Sequence, residues 1–167
     1  MKRLTNIIVI SMTLLLTSFM SENSFGGPTV SFKEISYGTY HTTGVSISSK
    51  DSPSGRSTMI TNHSLIRKTD TVDAVLGETF GMEFSIIAKT KKGIKVRRVW
   101  EFPKSMIDGR GNSFKESSSD MVYTPNVSTV TTYELEEDFE IIPGKWTIRF
   151  YYEDKLLHER TFHLVKR

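Results

Sequence analysis

The last third of the chain carries the pattern that most restricts how the chain can fold. Large apolar side chains occur at every second residue from Trp146 to Tyr152, and a second alternating set runs from Arg160 to Leu164. Alternation with a period of two places one set of side chains on a single face of a β-strand. Residues 143–165 therefore predict a β-hairpin. An isolated two-stranded ribbon is barely stable in water, so other strands must cover its aromatic face.

Two segments upstream show the same alternation. Phe80, Met82, Phe84 and Ile86 alternate with small or polar residues, which is typical of a strand in an antiparallel sheet with one face in water. Residues 94–102 form a second alternating run, followed by a proline that has no N–H to donate to a ladder. We expect these two strands to pair and the second to end at that proline, Pro103.

The remaining segments predict short strands and no long helix. No apolar stripe with helical spacing persists over three turns after residue 26, so we expect at most one short helical turn, near residues 136–139. Residues 113–126 are mostly polar and carry no clear element. The other predicted elements are a bulged strand at 29–40, a short strand at 45–47, a mobile polar loop at 48–57, and strands at 59–68 and 127–135.

About seven to nine short strands in one domain predict an all-β fold. Two antiparallel sheets that pack their apolar faces together, a β-sandwich, account best for this pattern, and a closed barrel is the alternative. No internal repeat is visible, which argues against a propeller or a solenoid.

The amino terminus has the pattern of an export signal. Lys2 and Arg3 precede an apolar run at residues 7–19, and small residues occupy the positions one and three before Gly27. The run is shorter than the ~20 residues of a membrane-spanning helix. We expect a cleaved leader at residues 1–26 and a single domain at 27–167, with an uncleaved anchor as the alternative. The mature protein then has no stable membrane span.

The composition limits which cellular compartment and which kinds of partner are compatible with the chain. The chain has no cysteine, which excludes disulfides and favours a periplasmic or secreted bacterial protein over a small disulfide-bonded eukaryotic module. Its formal net charge is +3, and removal of a leader with Lys2, Arg3 and Glu22 lowers it by one. So small an excess predicts no nucleic-acid partner.

No catalytic or metal-binding signature is present. The four histidines, at positions 41, 63, 158 and 163, lack the spacing of metal ligands. His158 and His163 differ by an odd number, so on one strand they face opposite sides. No serine lies in the Gly-x-Ser-x-Gly turn that exposes a nucleophile. The sequence therefore predicts no enzyme, no metal site and no cofactor.

A basic cluster is the densest charged feature, and it suits an anionic partner. The alternative is that its lysines discourage edge-to-edge aggregation of strands. We expect the acidic run at 134–140 to lie across from it. Tyr151 alternates out of phase with the core residues of the hairpin and is predicted to point outward. The candidate binding residues are Lys91, Lys92, Lys95, Arg97 and Tyr151.

Arg98 is unusual because it shares the predicted inner face with Val96 and Trp100. We expect its guanidinium to reach water along the strand, to stack on Trp100, or to pair with an acid. If Arg98 lies in a polar cleft, a binding or catalytic role at this position is favoured. If Arg98 is surrounded by a solid aromatic core, such a role is excluded.

Four motifs in order resemble the bacterial family catalogued as domain of unknown function 3859. They are ISYGTY at 35–40, LGETFG at 76–81, VWEFP at 99–103 and FEIIPGKWT at 139–147. The resemblance spans about residues 30–166 and implies an exported immunoglobulin-like β-sandwich with no known activity, so it assigns no functional residues.

Two hypotheses on function remain. The first is a non-catalytic interaction module of the bacterial envelope, which binds a protein or a glycan through its loops or through an open sheet edge. The second is an envelope hydrolase or a small-ligand binder with a pocket between the sheets.

Overall fold

The computed structural model describes residues 29–166 as nine β-strands and one 3₁₀ turn, which confirms the all-β prediction. The predicted leader at 1–26 lies outside the described residues. The strands are β1 (Ser31–Ser48), β2 (Arg56–Arg67), β3 (Thr71–Asp73), β4 (Thr79–Ile87), β5 (Ile94–Ile107), β6 (Ser113–Tyr123), β7 (Ser128–Glu134), β8 (Gly144–Tyr152) and β9 (Lys155–Val165), with the turn at Asp138–Glu140.

The strands form two sheets that pack face to face as a sandwich. Sheet A has the order β2-β1-β4-β7, and sheet B has the order β3-β9-β8-β5-β6. Every pairing is antiparallel except that of the short β3 with β9. Within residues 29–166, no helix is long and apolar enough to cross a membrane.

Aromatic side chains from both sheets fill the space between them. Phe80 of sheet A meets the rings of Trp100, Trp146 and Phe162 of sheet B edge to face, with centroids 5.3–5.6 Å apart. Trp146 is fully buried, and its indole N–H donates to the carbonyl oxygen of Ile142 at 2.8 Å. Burial of each such side chain contributes roughly 2–3 kcal/mol. The predicted hairpin, β8–β9, is therefore confirmed together with the aromatic cover that it needs.

The expected pairing of the two central strands is wrong. β4 belongs to sheet A and β5 to sheet B, so these strands face each other across the core. β4 pairs with β1 and β7, and β5 pairs with β6 and β8. Sequential strands often pair as hairpins, but here the apolar faces of β4 and β5 pack against each other from opposite sheets, as the contact of Phe80 with Trp100 shows.

β4 also differs from the half-exposed strand that its alternation predicts. Phe80, Met82, Phe84 and Ile86 are fully buried as expected, and the outward-facing Gly81 and Ser85 are buried as well. β4 lies between two strands in its sheet, and Gly81 and Ser85 are small, so the neighbouring strands cover them, whereas the larger outward residues Glu83 and Ile87 stay half-buried.

β1 is one long strand where the sequence predicts two. The segment with Val45 and Ile47 continues β1 and pairs with β2, with irregular register near Glu34, Thr39 and Thr43. The bulge predicted near Glu34 is confirmed. The second half of β1 and the whole of β2, residues 40–67, form a long hairpin that we call the arm.

Pro103 does not end β5. The strand continues to Ile107, and its pairing with β6 is interrupted between Glu101 and Met106. Its pairing with β8 stops at Glu101. Pro103 therefore lies where no ladder bond needs its missing N–H, which is how a strand tolerates proline.

Candidate functional site

The residues of the predicted basic cluster lie on the outer side of sheet B or in the turn before it. Lys91 and Lys92 are exposed in the turn that connects β4 and β5. Lys95 pairs with Asp120 at 2.8 Å. The positive charge of the cluster is thus partly balanced by neighbouring acids.

Arg97 and Tyr151 are brought together by the pairing of β5 with β8. The Arg97 guanidinium lies 5.0 Å from the centroid of the Tyr151 ring, and it also pairs with Asp154 at 3.4 Å. The outward direction predicted for Tyr151 agrees with this contact on the outer face.

The acidic run does not lie across from the basic cluster, and that expectation is wrong. Glu136 and Glu137 pair with Arg56 of the arm at 3.5 and 2.9 Å. Arg56 stands alone in a polar loop sequence, so nothing in its local pattern identifies it as the partner of residues about 80 positions away.

Among the described residues, Arg98 neither stacks on Trp100 nor pairs with an acid, but it is only half-buried, as expected for a guanidinium that reaches water. It lies on the inner face of β5, where it donates to the Thr131 hydroxyl of β7 at 2.7 Å and to the Ser119 hydroxyl of β6 at 3.1 Å. No carboxylate within residues 29–166 pairs with it. Burial lowers the pKa of its guanidinium, although the group stays charged at neutral pH because arginine starts so high. Arg98 is therefore a cation held between the sheets by hydroxyl groups alone.

A cleft of about 490 Å³ opens beside Arg98. It lies where the edge strands β6 and β7 leave the sandwich open at the side, and the arm forms its far wall. We call it the Arg98 cleft. Its lining is rich in hydroxyl groups, which include those of Thr42, Ser57, Thr58, Thr61, Ser117, Ser119, Ser128, Thr129, Thr131 and Thr132.

The arm is held against this opening by contacts at its tip. The Ser117 hydroxyl of β6 donates to the carbonyl oxygen of Asp51. Arg56 anchors the arm to the acidic run that follows β7. The polar turn between β1 and β2 is thereby fixed to both edges of the opening.

Acidic groups also line the cleft. The Glu140 carboxylate is buried and accepts hydrogen bonds from the Tyr133 hydroxyl at 2.7 Å and from the backbone N–H groups of Glu136 and Glu137 at 2.8 and 3.0 Å. Burial is the main reason that the pKa of Glu140 is raised. Burial and the nearby Glu136 likewise raise the pKa of Glu134.

A second inner-face arginine provides an internal comparison. Arg160 of β9 pairs with Glu34 of β1, with its Nε 3.0 Å from the carboxylate, and its guanidinium lies 3.8 Å from the centroid of the Tyr37 ring. His158 also contacts Glu34, at 2.8 Å, and stacks on Phe32. This side of the sandwich is closed by a paired acid and base, whereas the Arg98 side is open.

Sequence reasoning missed both arginine environments for the same reason. Alternation places Arg98 and Arg160 on inner faces, and that signal is present in the sequence. Their partners come from strands 33 and 126 residues away, and register between distant strands is not encoded locally. Among residues 29–166, no three acidic or histidine side chains converge to hold a metal ion.

The site can bind a negatively charged group. A carboxylate that enters the cleft would meet a guanidinium with N–H groups to spare and a hydroxyl-rich wall, and charge-assisted hydrogen bonds to arginine are among the stronger polar contacts in proteins.

The two packed sheets define the class of the protein. They place it among immunoglobulin-like β-sandwiches, and a solved structure of an immunoglobulin-like protein from Pseudomonas aeruginosa shows the same fold. That structure superposes with a TM-score of 0.61 at 21% identity, over 82% of this chain and 97% of the other.

The chain belongs to the family described as domain of unknown function (DUF3859), whose profile matches residues 29–164. The family resemblance and the fold predicted from the sequence are thus confirmed. A further structure, the Pseudomonas fluorescens alkylpurine DNA glycosylase AlkC bound to DNA containing an abasic site analog, aligns at 10% identity with a TM-score of 0.35, over 57% of this chain and 27% of the other. A likeness that low carries no argument. Among proteins with curated functions, none matches the chain.

Proposed function

We propose that this protein is a non-catalytic interaction module of the bacterial envelope and that it binds a partner protein in the Arg98 cleft. The observation that carries the proposal is a charged arginine on the inner face of β5 that lines an open cleft and that, within residues 29–166, hydrogen bonds only to hydroxyls. Even a half-buried charge with no acid beside it within residues 29–166 costs stability. Such a cost is typical of a residue that is kept for binding.

The proposed location follows from the amino-terminal sequence. Residues 1–26 have the charged start, the short apolar run and the small residues of an export signal. A cysteine-free β-sandwich of this size needs no disulfides to fold after export. These features support a periplasmic or secreted protein.

The experiment is affinity capture from bacterial envelope extract, with the mature protein as bait and two variants. Arg98→Gln removes the charge inside the cleft. Arg97→Gln removes the neighbouring charge on the opposite face of the same strand and serves as the matched control. We expect wild type and Arg97→Gln to retain the same partner protein and Arg98→Gln to lose it.

Three results would contradict the proposal. Equal capture by all three baits would show that the cleft is not the binding site. Loss with Arg97→Gln alone would assign binding to the basic cluster on the outer face. If the Arg98-dependent ligand survives complete digestion of the extract with protease, the partner is a glycan and the assignment to a protein is wrong.

A further inference from the structure

The outer edge of β7 forms one wall of the Arg98 cleft and has no neighbouring strand in the described sheet. The Leu135 N–H donates to the carbonyl oxygen of Glu78, and the Leu135 carbonyl oxygen accepts from the N–H of Gly77. Gly77 and Glu78 directly precede β4, so the backbone groups of Leu135 point toward the β4 side. Because backbone groups alternate along a strand, Thr129, Thr131 and Tyr133 also point toward β4. The even-numbered residues 128, 130, 132 and 134 therefore turn their N–H and C=O groups toward the cleft.

The opposite wall is also a strand edge. The carbonyl oxygen of Met59 in β2 points toward Gly44 of β1, so alternation turns the backbone groups of Thr58 and Ile60 away from β1. Thr58 and Ile60 both line the cleft. Both edges of sheet A thus face the same cleft, which suits an occupant with its own backbone hydrogen-bonding groups.

We propose, resting on the function proposed above, that the occupant is an extended segment of the partner protein, which pairs with β7 as an added strand and directs a carboxylate side chain to Arg98. Added strands lie about 4.8 Å from the edge that they join. A residue paired with Thr131 then has its side chain on the inner face, about 5 Å from the Thr131 side chain. The guanidinium already touches that side chain, so an aspartate or glutamate at this position reaches it.

The charges around the cleft favour one carboxylate over a polyanion. Arg98 is the cation at the inner end, and Arg56 is already paired with Glu136 and Glu137. Glu134, Glu140 and Asp51 also line the cleft, and His63 lines the arm wall. A densely charged polymer would be repelled by these acids, whereas a peptide with a single acidic residue beside Thr131 would not.

The test uses nuclear magnetic resonance on the mature protein with a capped peptide of alternating threonine and valine that carries one central aspartate. We expect slowed exchange at the amide N–H groups of Val130 and Thr132, and no change at Thr131, which is already paired with β4. Replacing the aspartate with asparagine lowers affinity roughly tenfold or more, as expected for losing a charge-assisted hydrogen bond. Methylation of alternate peptide nitrogens abolishes the protection, because it removes the pairing groups.

The variants separate this inference from the proposed function. Arg98→Gln should bind the aspartate and asparagine peptides equally, and Arg97→Gln should bind like wild type. Strand addition is overturned if the methylated peptide binds as well as the unmethylated one, or if Val130 and Thr132 show no protection at millimolar peptide. Either result counts even if capture from extract depends on Arg98. If protection of Val130 and Thr132 increases with protein concentration in the absence of peptide, the occupant of the cleft is a second copy of the chain, and the proposal of a partner segment is overturned.

Discussion

At the scale of single residues, two arginines on inner faces of sheet B have opposite surroundings. Arg160 pairs with Glu34, while the polar partners of Arg98 in the described part of the chain are hydroxyl groups. The same residue type therefore stabilises one side of the sandwich and imposes a cost on the other. The difference can be measured as stability, without knowledge of any ligand.

Replacing each arginine with methionine should change stability in opposite directions. Arg98→Met removes an unpaired charge and keeps an apolar chain of similar length, so we expect the free energy of unfolding to rise by about 1 kcal/mol. Arg160→Met leaves the half-buried Glu34 without its arginine, so we expect a loss of about 2 kcal/mol. Urea unfolding of both variants measures the difference. A loss with Arg98→Met as large as that with Arg160→Met would show that Arg98 is structural.

Glu140 should make stability depend on pH in a direction opposite to that of a typical salt-bridged acid. Burial raises the pKa of its carboxyl, so the folded state holds the proton more tightly than the unfolded chain does. Its contribution to stability is full below the unfolded pKa, near 4.3, and is lost as pH rises through the higher folded pKa. The Glu140→Gln variant has no titrating carboxyl at this position, so it does not lose stability in this way as pH rises. Between pH 4 and neutral pH, the free energy of unfolding of Glu140→Gln should therefore rise relative to that of wild type, and a relative fall would be the contrary result.

Removing the Glu140 side chain tests its hydrogen bonds separately. Glu140→Ala leaves the Tyr133 hydroxyl and two backbone N–H groups without their acceptor, so we expect a loss of about 2–4 kcal/mol. Denaturant unfolding at neutral pH provides the value. A loss below about 0.5 kcal/mol, the range of ordinary surface changes, would mean that these bonds matter little.

At the scale of elements, the turn between β8 and β9 is built from residues that fit it poorly. Glu153 and Asp154 both have positive φ, 47° and 61°, as a two-residue type I′ turn requires. Asparagine followed by glycine adopts this conformation with less strain. We expect the double change Glu153→Asn and Asp154→Gly to raise the free energy of unfolding by roughly 1 kcal/mol, despite the loss of the exposed Arg97–Asp154 pair. Thermal unfolding measures it, and a lowered midpoint would contradict this account of the turn.

The arm is a separate element whose position depends on few contacts. Arg56 is half exposed and pairs with two acids, so Arg56→Ala should lower global stability by less than about 1 kcal/mol. The same change should speed amide exchange in β2 while exchange in β4 and β8 stays unchanged, because only the arm loses its anchor. Lys95→Ala, which breaks an exposed pair elsewhere, is the control. Unchanged exchange in β2 would show that Arg56 does not hold the arm.

The sequence predicts the strands better than their pairing. Period-two alternation locates β4, β5, β8 and β9, because the side-chain pattern is local. Alternation does not distinguish strands that pair in one sheet from strands that face each other across the core, so the sequence wrongly predicts that β4 and β5 pair. Residues 113–126 gave no signal because β6 is an edge strand whose inner residues, among them Ser117 and Ser119, are polar where they border the cleft.

At the scale of the whole molecule, the sandwich is closed by an ion pair on one side and left open on the other. The open side combines an unpaired arginine, hydroxyl-rich walls and two strand edges. None of these features is visible as a motif, because each comes from a different strand and the fold alone brings them together. The basic residues that stand out in the sequence lie outside the cleft, partly balanced by Asp120 and Asp154.

Site-specific photocrosslinking in envelope extract shows whether a partner protein occupies the Arg98 cleft. A photoreactive amino acid replaces Thr132, which lines the cleft, or Lys145, which is exposed on the outer face of sheet B. We expect an adduct with one partner protein from position 132 and none from position 145, and the adduct should disappear when Arg98→Gln is added. An adduct from position 145 alone, or one from position 132 that persists without Arg98, would contradict this expectation.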